Sequence, residues 1–451
     1  MKSITKSIEA GGRKHKFMVA AIATLVFVLA FTLAACAVNK DKLGASTQKA
    51  TTKPTAQKVD TPETDSYGVV EADSWANAYP NQYNSYKANS SNNSEGKADY
   101  LELYPALKTM YKGYAFALGY DEAQGHTQAL DSVKNTPRTQ KKEQLANCIS
   151  CKTPQFTATV NSGNTEIYKQ KFNDTVGQYT EDISCYNCHE NDPTTLTVTN
   201  KFFLKALGAD ATNYKKAPLA SQTCGQCHNE YYFDSTTKEP MNPYTGTEQM
   251  TPDAILAYYD AKNFKDWDHG DTLAPMIKVQ HPEFETVYGG TNMTTMTRIG
   301  YTCSDCHMGV ETDKSGNSYT SHNWTSPLEN EELIKNDCSN CHADLKSEVK
   351  AIQDKEESRV TSISTKIEDM TKKIASKYAT EIASIKEARN AGGSQDASAE
   401  LSQLWKLQRN AQFYWDFVMV ENSEGAHNPT LTTETLDKAE AATDQALALL
   451  A

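Results

Sequence analysis

Cys148-Ile149-Ser150-Cys151-Lys152 decides how this chain is read, because four other stretches share its frame and differ from it in the closing residue. Cys185-Tyr186-Asn187-Cys188-His189, Cys224-Gly225-Gln226-Cys227-His228, Cys303-Ser304-Asp305-Cys306-His307 and Cys338-Ser339-Asn340-Cys341-His342 all end in histidine. C-x-x-C-H is the c-type haem attachment motif. Cysteines three apart meet the two vinyl groups of one porphyrin, and the imidazole that follows is carried under the iron as its proximal ligand. Zinc is the competing chemistry, since Cys and His at short spacing also make tetrahedral sites, but a zinc ribbon has no use for His directly after every second Cys. Redox C-x-x-C centres come singly on a thioredoxin-like pattern that is absent here.

The first pair has lysine where histidine should stand. An amine ligates iron only through its lone pair, so Lys152 would have to surrender a proton to the metal. The bland alternative is a degenerate motif with a solvent-facing lysine. A haem singled out by an unusual proximal ligand is a candidate catalytic haem.

Composition agrees with a chain folded around porphyrins. Its 451 residues carry 57 Asp and Glu against 45 Lys and Arg, a formal balance of −12, which argues against a nucleic-acid partner. Only 38% of positions are hydrophobic, low for a chain of this length if side chains alone filled the core. Ten of the eleven cysteines fall in the five pairs, which excludes an ordinary disulfide scaffold or a plain cytosolic enzyme.

Residues 1–35 read as an export signal, with Lys2, Lys6, Arg13, Lys14 and Lys16 ahead of an uncharged apolar run from Phe17 to Ala35. The run ends in Leu33-Ala34-Ala35-Cys36, which resembles a lipobox whose cysteine takes a diacylglyceryl group and begins the mature protein. That accounts for the odd cysteine. The same run is about long enough to span a bilayer, so an uncleaved anchor is the alternative. Either way the body is expected in the periplasm or on the outer face of the cytoplasmic membrane. Residues 36–72, rich in Thr, Lys, Ala, Ser and Pro, read as a flexible solvated tether.

From about Trp75 to the C-terminus, the C-x-x-C-K site with four C-x-x-C-H sites resembles the ammonia-forming pentahaem cytochrome c nitrite reductases, the cytochrome c-552 family. The resemblance implies five c-type haems and one calcium ion, with an Arg, a Tyr and a His around the open face of the lysine-ligated haem. Gln124-Gly125-His126 followed by Thr136-Pro137-Arg138 resembles the segment that holds a distal haem histidine and then the substrate arginine. A guanidinium suits an anionic substrate because it stays charged and presents a fork of donors. In Cys227-His228-Asn229-Glu230-Tyr231 the match puts Glu230 on calcium by its carboxylate and Tyr231 by its backbone carbonyl, with the Tyr231 phenol at the active site. In Lys278-Val279-Gln280-His281 it puts Lys278 on calcium by its carbonyl and Gln280 by its amide, while His281 points at the substrate. An all-oxygen set is what a hard cation requires.

Five haems have ten axial positions, of which Lys152, His189, His228, His307 and His342 fill five. The family match makes His126, His322 and His427 distal ligands. The remaining distal histidine is missing before Cys303, where Met296, or else Met293, would supply a thioether; the alternative is a methionine packed in the core. His269 matches no ligand and reads as exposed in an Asp-Trp-Asp-His loop.

Few stretches alternate with period two, so the expectation is a mainly α, multihaem fold with little β around five packed haems. A pentahaem core is expected over 73–345. Long amphipathic helices follow over 346–451, interrupted near Gly392-Gly393. In the family such helices dock across a two-fold axis, implying a homodimer; the alternative is that they pack back on their own core. The function implied is six-electron reduction of nitrite to ammonium, with electrons from a membrane multihaem quinol dehydrogenase. The rival readings are a non-catalytic electron-transfer cytochrome and a related multihaem enzyme acting on hydroxylamine or another oxyanion.

Overall fold

The computed structural model describes residues 53–91, 98–291 and 293–451. The signal segment, Cys36 and the tether as far as residue 52 lie outside them. Among the described residues the fold is mainly helical, and strands occur only as three antiparallel pairs. These are β1 (Tyr232–Phe233) with β2 (Pro240–Met241), β3 (Trp267–Asp268) with β4 (Pro275–Met276), and β5 (Val310–Thr312) with β6 (Ser318–Thr320). Before residue 345 the described helices are short, the longest being Pro252–Ala261 with 10 residues, and irregular chain winds between the attachment sites.

Four longer helices follow: α1 (Leu345–Lys377), α2 (Ala379–Asn390), α3 (Ala399–Met419) and α4 (Pro429–Leu450). Asp344 caps α1 by accepting from the Ser347 amide at 3.1 Å, and i,i+4 pairs such as Lys350–Asp354 and Lys373–Asp369 support its wet face. Val360, Ile363, Ile367, Met370 and Ile374 alternate spacings of three and four and are buried along one stripe. That stripe packs on Leu401, Leu404, Ala411 and Trp415 of α3 and on Leu436, Ala439 and Ala446 of α4. The Trp415 indole, fully buried, donates to the Val360 carbonyl at 2.8 Å. The apolar seam of α1 is therefore spent within the chain. Gly392, at φ +77, makes the turn between α2 and α3 that a side chain would strain, and Ser398 caps α3.

A second core joins these helices to the body: Phe413 and Phe417 of α3 pack with Phe203, Tyr259, Val279, Phe284 and Tyr288. A third, with Ile149, Phe156, Ile167, Phe172 and Tyr179, backs the first attachment site.

The stretch read as a solvated tether behaves differently over its described half. Residues 53–71 contain no helix or strand, yet they lie on the body. Lys53 Nζ donates to the Ser304 carbonyl at 2.8 Å, Lys58 pairs with Asp192 at 2.7 Å, and the Val70 amide donates to Asn191 at 3.0 Å. Val69 and Val70 are fully buried, so apolar anchors absent from a periodic pattern suffice to pin irregular chain.

Candidate functional site

Local capping winds the histidine-terminated sites. Ser184 with Asn187, and Thr302 with Asp305, form reciprocal capping boxes that coil Cys185–His189 and Cys303–His307 into single helical turns. The amides of His228 and His342 likewise bond back to the carbonyls of Cys224 and Cys338, at 3.0 and 2.9 Å. The lysine site departs from this. Ala146–Ile149 is a 3-10 turn and Cys151 takes φ +60, the sole attachment cysteine in the left-handed region. All ten attachment thiols are free of disulfides. Asn200 Nδ2 reaches the sulfurs of both Cys151 (3.4 Å) and Cys227 (3.3 Å), which brings the first and third sites together. The Cys303 amide donates to Ser221 Oγ at 3.1 Å, which ties the fourth site to the helix carrying Cys224.

Whether the histidines fit haem iron is tested by their ring nitrogens. A metal-bound imidazole uses one nitrogen on the metal and commits the other to an acceptor. His189, His307 and His322 set Nδ1 against the carbonyls of Thr195 (2.6 Å), Thr325 (3.0 Å) and Thr320 (3.0 Å). His228, His342 and His427 set it against carboxylates: Glu283 at 3.5 Å, Glu348 at 2.7 Å and Glu421 at 2.5 Å. None of these Nε2 atoms has a hydrogen-bond partner among the described residues. Two imidazoles on one iron hold their ring centroids roughly 6 Å apart, two metal–nitrogen bonds of about 2 Å plus the reach of each ring. The pairs His189–His322 (6.4 Å), His126–His228 (5.9 Å) and His307–His427 (6.1 Å) meet that spacing. His228 also has the His281 ring at 6.3 Å.

Burial keeps most of these rings neutral, the form that ligates metal. It presses His126 down to about 3, and His307 and His322 to about 4. His427 goes the other way: burial alone would lower it, but the charge and hydrogen bond of Glu421 outweigh that and lift it to about 9. His281 is lowered to about 4, chiefly by the protein packed around it, although the residue is exposed. Imidazoles that are mostly neutral and cysteines free of disulfides fit covalent haem.

The charges of the sequence-derived residues are felt at the first site. Arg138 donates from one terminal nitrogen to the Gly119 carbonyl at 3.0 Å and stacks over Phe116 at 4.4 Å. Its charge acts on the Tyr231 phenol and on Cys148. Burial, then the thiols of Cys151 and Cys148, keep Tyr231 protonated well above the usual phenol range. The Lys152 charge acts on His281, His126 and Cys148; its amide donates to the Ile149 carbonyl at 3.0 Å, while its ammonium makes no hydrogen bond or ion pair among the described residues.

The residues expected to hold calcium are linked as well. Glu230, fully buried, accepts from the Tyr259 hydroxyl at 2.7 Å and the Gln280 amide at 2.6 Å, while the Gln280 side chain reaches the Lys278 carbonyl at 3.2 Å. Burial drives Glu230 well above the usual carboxylate range, and neighbouring Glu285 and Asp266 add to the rise. Among the described residues no three His, Cys, Asp or Glu side chains form a metal cluster. The set here has one carboxylate and otherwise carbonyl and amide oxygens, and a buried carboxylate among like charges fits a hard cation.

Several residues escaped the sequence reading. The Lys278 ammonium, buried 3.8 Å from Asp416, lies over the rings of Tyr111, Phe116 and Tyr120, so it shares the Phe116 ring with Arg138. Glu283, Glu348 and Glu421 carried no local signal as imidazole partners. His269 corrects an expectation: it is fully buried, with Nε2 on the Thr109 carbonyl at 2.8 Å and Nδ1 accepting from the amides of Asp271 and Thr272. Both nitrogens are used, so it is a structural histidine. Met296 is 36% exposed at the start of the short helix Thr295–Arg298, whereas Met293 packs against the core of Phe284 and Tyr288. Tyr301, bonded to Asp337 at 2.8 Å, carries this segment beside the fifth site.

Comparison with known proteins agrees with this geometry. The chain is 30% identical over 379 residues to the cytochrome c nitrite reductase subunit NrfA of Nitratidesulfovibrio vulgaris, covering 78% of this chain and 69% of that one. It is 31% identical over 381 residues to cytochrome c-552 of Aliarcobacter butzleri, covering 80% and 72%. The solved catalytic subunit of Desulfovibrio desulfuricans cytochrome c nitrite reductase, described with two calcium sites, superposes with a TM-score of 0.70 at 25% identity over 86% of this chain and 87% of that one. With the cytochrome c552 family model matching residues 71–451, from the first short helix to the last residue, the chain belongs to the cytochrome c552 family.

Proposed function

We propose that this protein is an exported nitrite reductase that takes nitrite to ammonium by six electrons at a haem attached through Cys148 and Cys151, with Lys152 as proximal ligand. The four histidine-terminated sites would carry the haems that feed it. What supports this reading is that the charge of Arg138 acts on the Tyr231 phenol and on Cys148, and that of Lys152 on His281, at the one attachment site whose ligand position is lysine. A haem held there by Cys148, Cys151 and Lys152 would supply a redox-active iron for the substrate nitrogen and a path for electrons.

The chain's own groups do the rest. Arg138, anchored by Gly119 and Phe116, offers its remaining N–H groups to the substrate oxygens and stays charged as they gain electron density. His281, neutral by burial, holds a substrate oxygen as N–H donor and hands on protons; Tyr231, kept as a phenol, is a second donor. Calcium on Glu230, Gln280 and the carbonyls of Tyr231 and Lys278 would fix the two segments that carry Tyr231 and His281. His322, His126 and His427 would be the distal partners of His189, His228 and His307, in keeping with their ring spacings. Met296, its side chain open, is preferred to the packed Met293 opposite His342.

Among the described residues no helix is long and apolar enough to cross a membrane. Membrane association is proposed through a lipid on Cys36, with a membrane multihaem quinol dehydrogenase as donor and a homodimer as the assembly. The test is ammonium formation from nitrite by protein shown to hold five c-type haems, with a high-spin resonance that moves on nitrite addition. Five-haem protein that forms no ammonium, and whose irons ignore nitrite, overturns the proposal.

A further inference from the structure

Six imidazoles in the site commit Nδ1 to an acceptor, and the acceptors are of two kinds. At the second attachment site both rings face neutral carbonyls, Thr195 for His189 and Thr320 for His322. At the fourth, His307 faces the Thr325 carbonyl but His427 faces the Glu421 carboxylate. His228 of the third site and His342 of the fifth face Glu283 and Glu348. A carboxylate draws the ring proton toward itself, makes the imidazole a stronger donor to iron and favours the ferric state; a carbonyl does so far less.

We infer that Glu421, acting through His427, is a positioning residue that lowers the reduction potential of the fourth haem, and that Glu283 and Glu348 act in the same sense, more weakly, on the third and fifth. The inference rests on the haem assignment above. Burial and distance set the ranking. Glu421 is 3% exposed and only 2.5 Å from Nδ1, and its second oxygen is held by Ser423 Oγ at 2.5 Å. Ser423 Oγ in turn accepts from the His427 amide at 2.9 Å, so the ring is locked onto an acceptor that is itself kept from water. Glu283 is also buried but stands 3.5 Å from His228. Glu348 is close to His342 at 2.7 Å, but its side chain is 48% exposed, where water screens its charge.

A lowered fourth haem is a poor resting place for electrons, so reducing equivalents collect on its neighbours. The experiment is a redox titration of the haem-loaded full chain followed by electron paramagnetic resonance, on wild type, Glu421→Gln, Glu421→Asp and Glu348→Gln, with His427→Ala to identify the fourth-haem signal. Glu421→Gln is expected to raise the midpoint of that low-spin haem and shift its g values while the others stay in place. Glu348→Gln should move a different haem by less, and Glu421→Asp should return most of the lost shift. Glu421→Gln protein that holds five haems by pyridine haemochrome, with every midpoint unmoved, overturns the inference. Fewer than five haems in wild type, or a His427→Ala protein with all low-spin signals intact, overturns the haem assignment itself, and the inference with it.

Discussion

Gly119 offers a route to Arg138, the proposed substrate arginine, that leaves its charge and the haem attachment residues untouched. A Cβ at Gly119 would stand 2.5, 2.7 and 2.8 Å from three ring carbons of Pro137, the residue before Arg138. The Gly119 φ of 173 is extended backbone that any residue adopts, so the conflict is purely one of space. Pro137 opens the short helix Pro137–Gln140, and its closed ring cannot rotate aside. Restoring ordinary contact in Gly119→Ala requires the Gly119 and Pro137 segments to part by about 1 Å, at a stability cost of about 1–3 kcal/mol. The Gly119 carbonyl is also the acceptor that anchors Arg138 at 3.0 Å, so both ends of the guanidinium's support move. A displacement of about 1 Å in a positioning group costs on the order of 100-fold. Steady-state nitrite reduction with a viologen donor should show kcat/KM falling by that factor, with haem absorption unchanged. Arg138→Lys, which keeps the charge and loses the fork, should fall by roughly 100- to 1,000-fold. Because both changes act through one group, the double variant should be little worse than Arg138→Lys alone. Five-haem Gly119→Ala protein with wild-type kcat/KM would refute this account of how Arg138 is positioned. Full additivity in the double variant would mean that Gly119 acts elsewhere.

Three further outcomes follow from the same geometry. Chelating calcium should leave Glu230 buried among Glu285 and Asp266 without a cation; nitrite turnover is expected to fall and to return with calcium but not magnesium, and chelator-resistant, calcium-free protein at full activity would contradict the site. Burial, only partly offset by Arg359 and Lys355, raises Glu356 to about 7; since the folded state then binds the proton more tightly than the unfolded chain, this group's contribution is full below the ordinary carboxylate range and is lost as pH climbs through about 7. Glu356→Gln should therefore gain about 1–3 kcal/mol over wild type between pH 5 and pH 8 in denaturant titrations, and an unchanged difference would disprove the shift. Trp415→Ala removes a fully buried indole and its bond to the Val360 carbonyl, and should cost about 3–5 kcal/mol by thermal unfolding; a loss under about 1 kcal/mol would mean the α1, α3 and α4 seam is not packed as described.

What could be read from residues alone depended on whether the cause was local. A C-x-x-C-H turn is written in five consecutive residues, and its caps, Ser184 with Asn187 and Thr302 with Asp305, lie within the same turn. The stripe of α1 is written in spacings of three and four. His269 reads as exposed because Asp266 and Asp268 suggest a wet loop, whereas its burial goes with the Thr109 carbonyl, 160 positions away. The same distance in sequence hid the cradle in which Tyr111, Phe116 and Tyr120 lie under Lys278, with Arg138 on the Phe116 ring: cations on aromatic faces have no spacing rule to betray them. Glu348 and Glu421 each lie six residues from the histidine they serve, but in a chain with 57 acidic residues that interval says nothing without the fold. The two methionines show the limit most sharply. Counted back from Cys303 the family position falls on Met296, and counted forward from His281 it falls on Asn292 with Met293 beside it, because a loop can absorb an insertion at either end; what separates the methionines is surroundings. Met293 already spends its side chain on the core beside Phe284 and Tyr288, and a thioether so packed would have to leave a cavity behind to reach an iron, whereas Met296 gives up nothing.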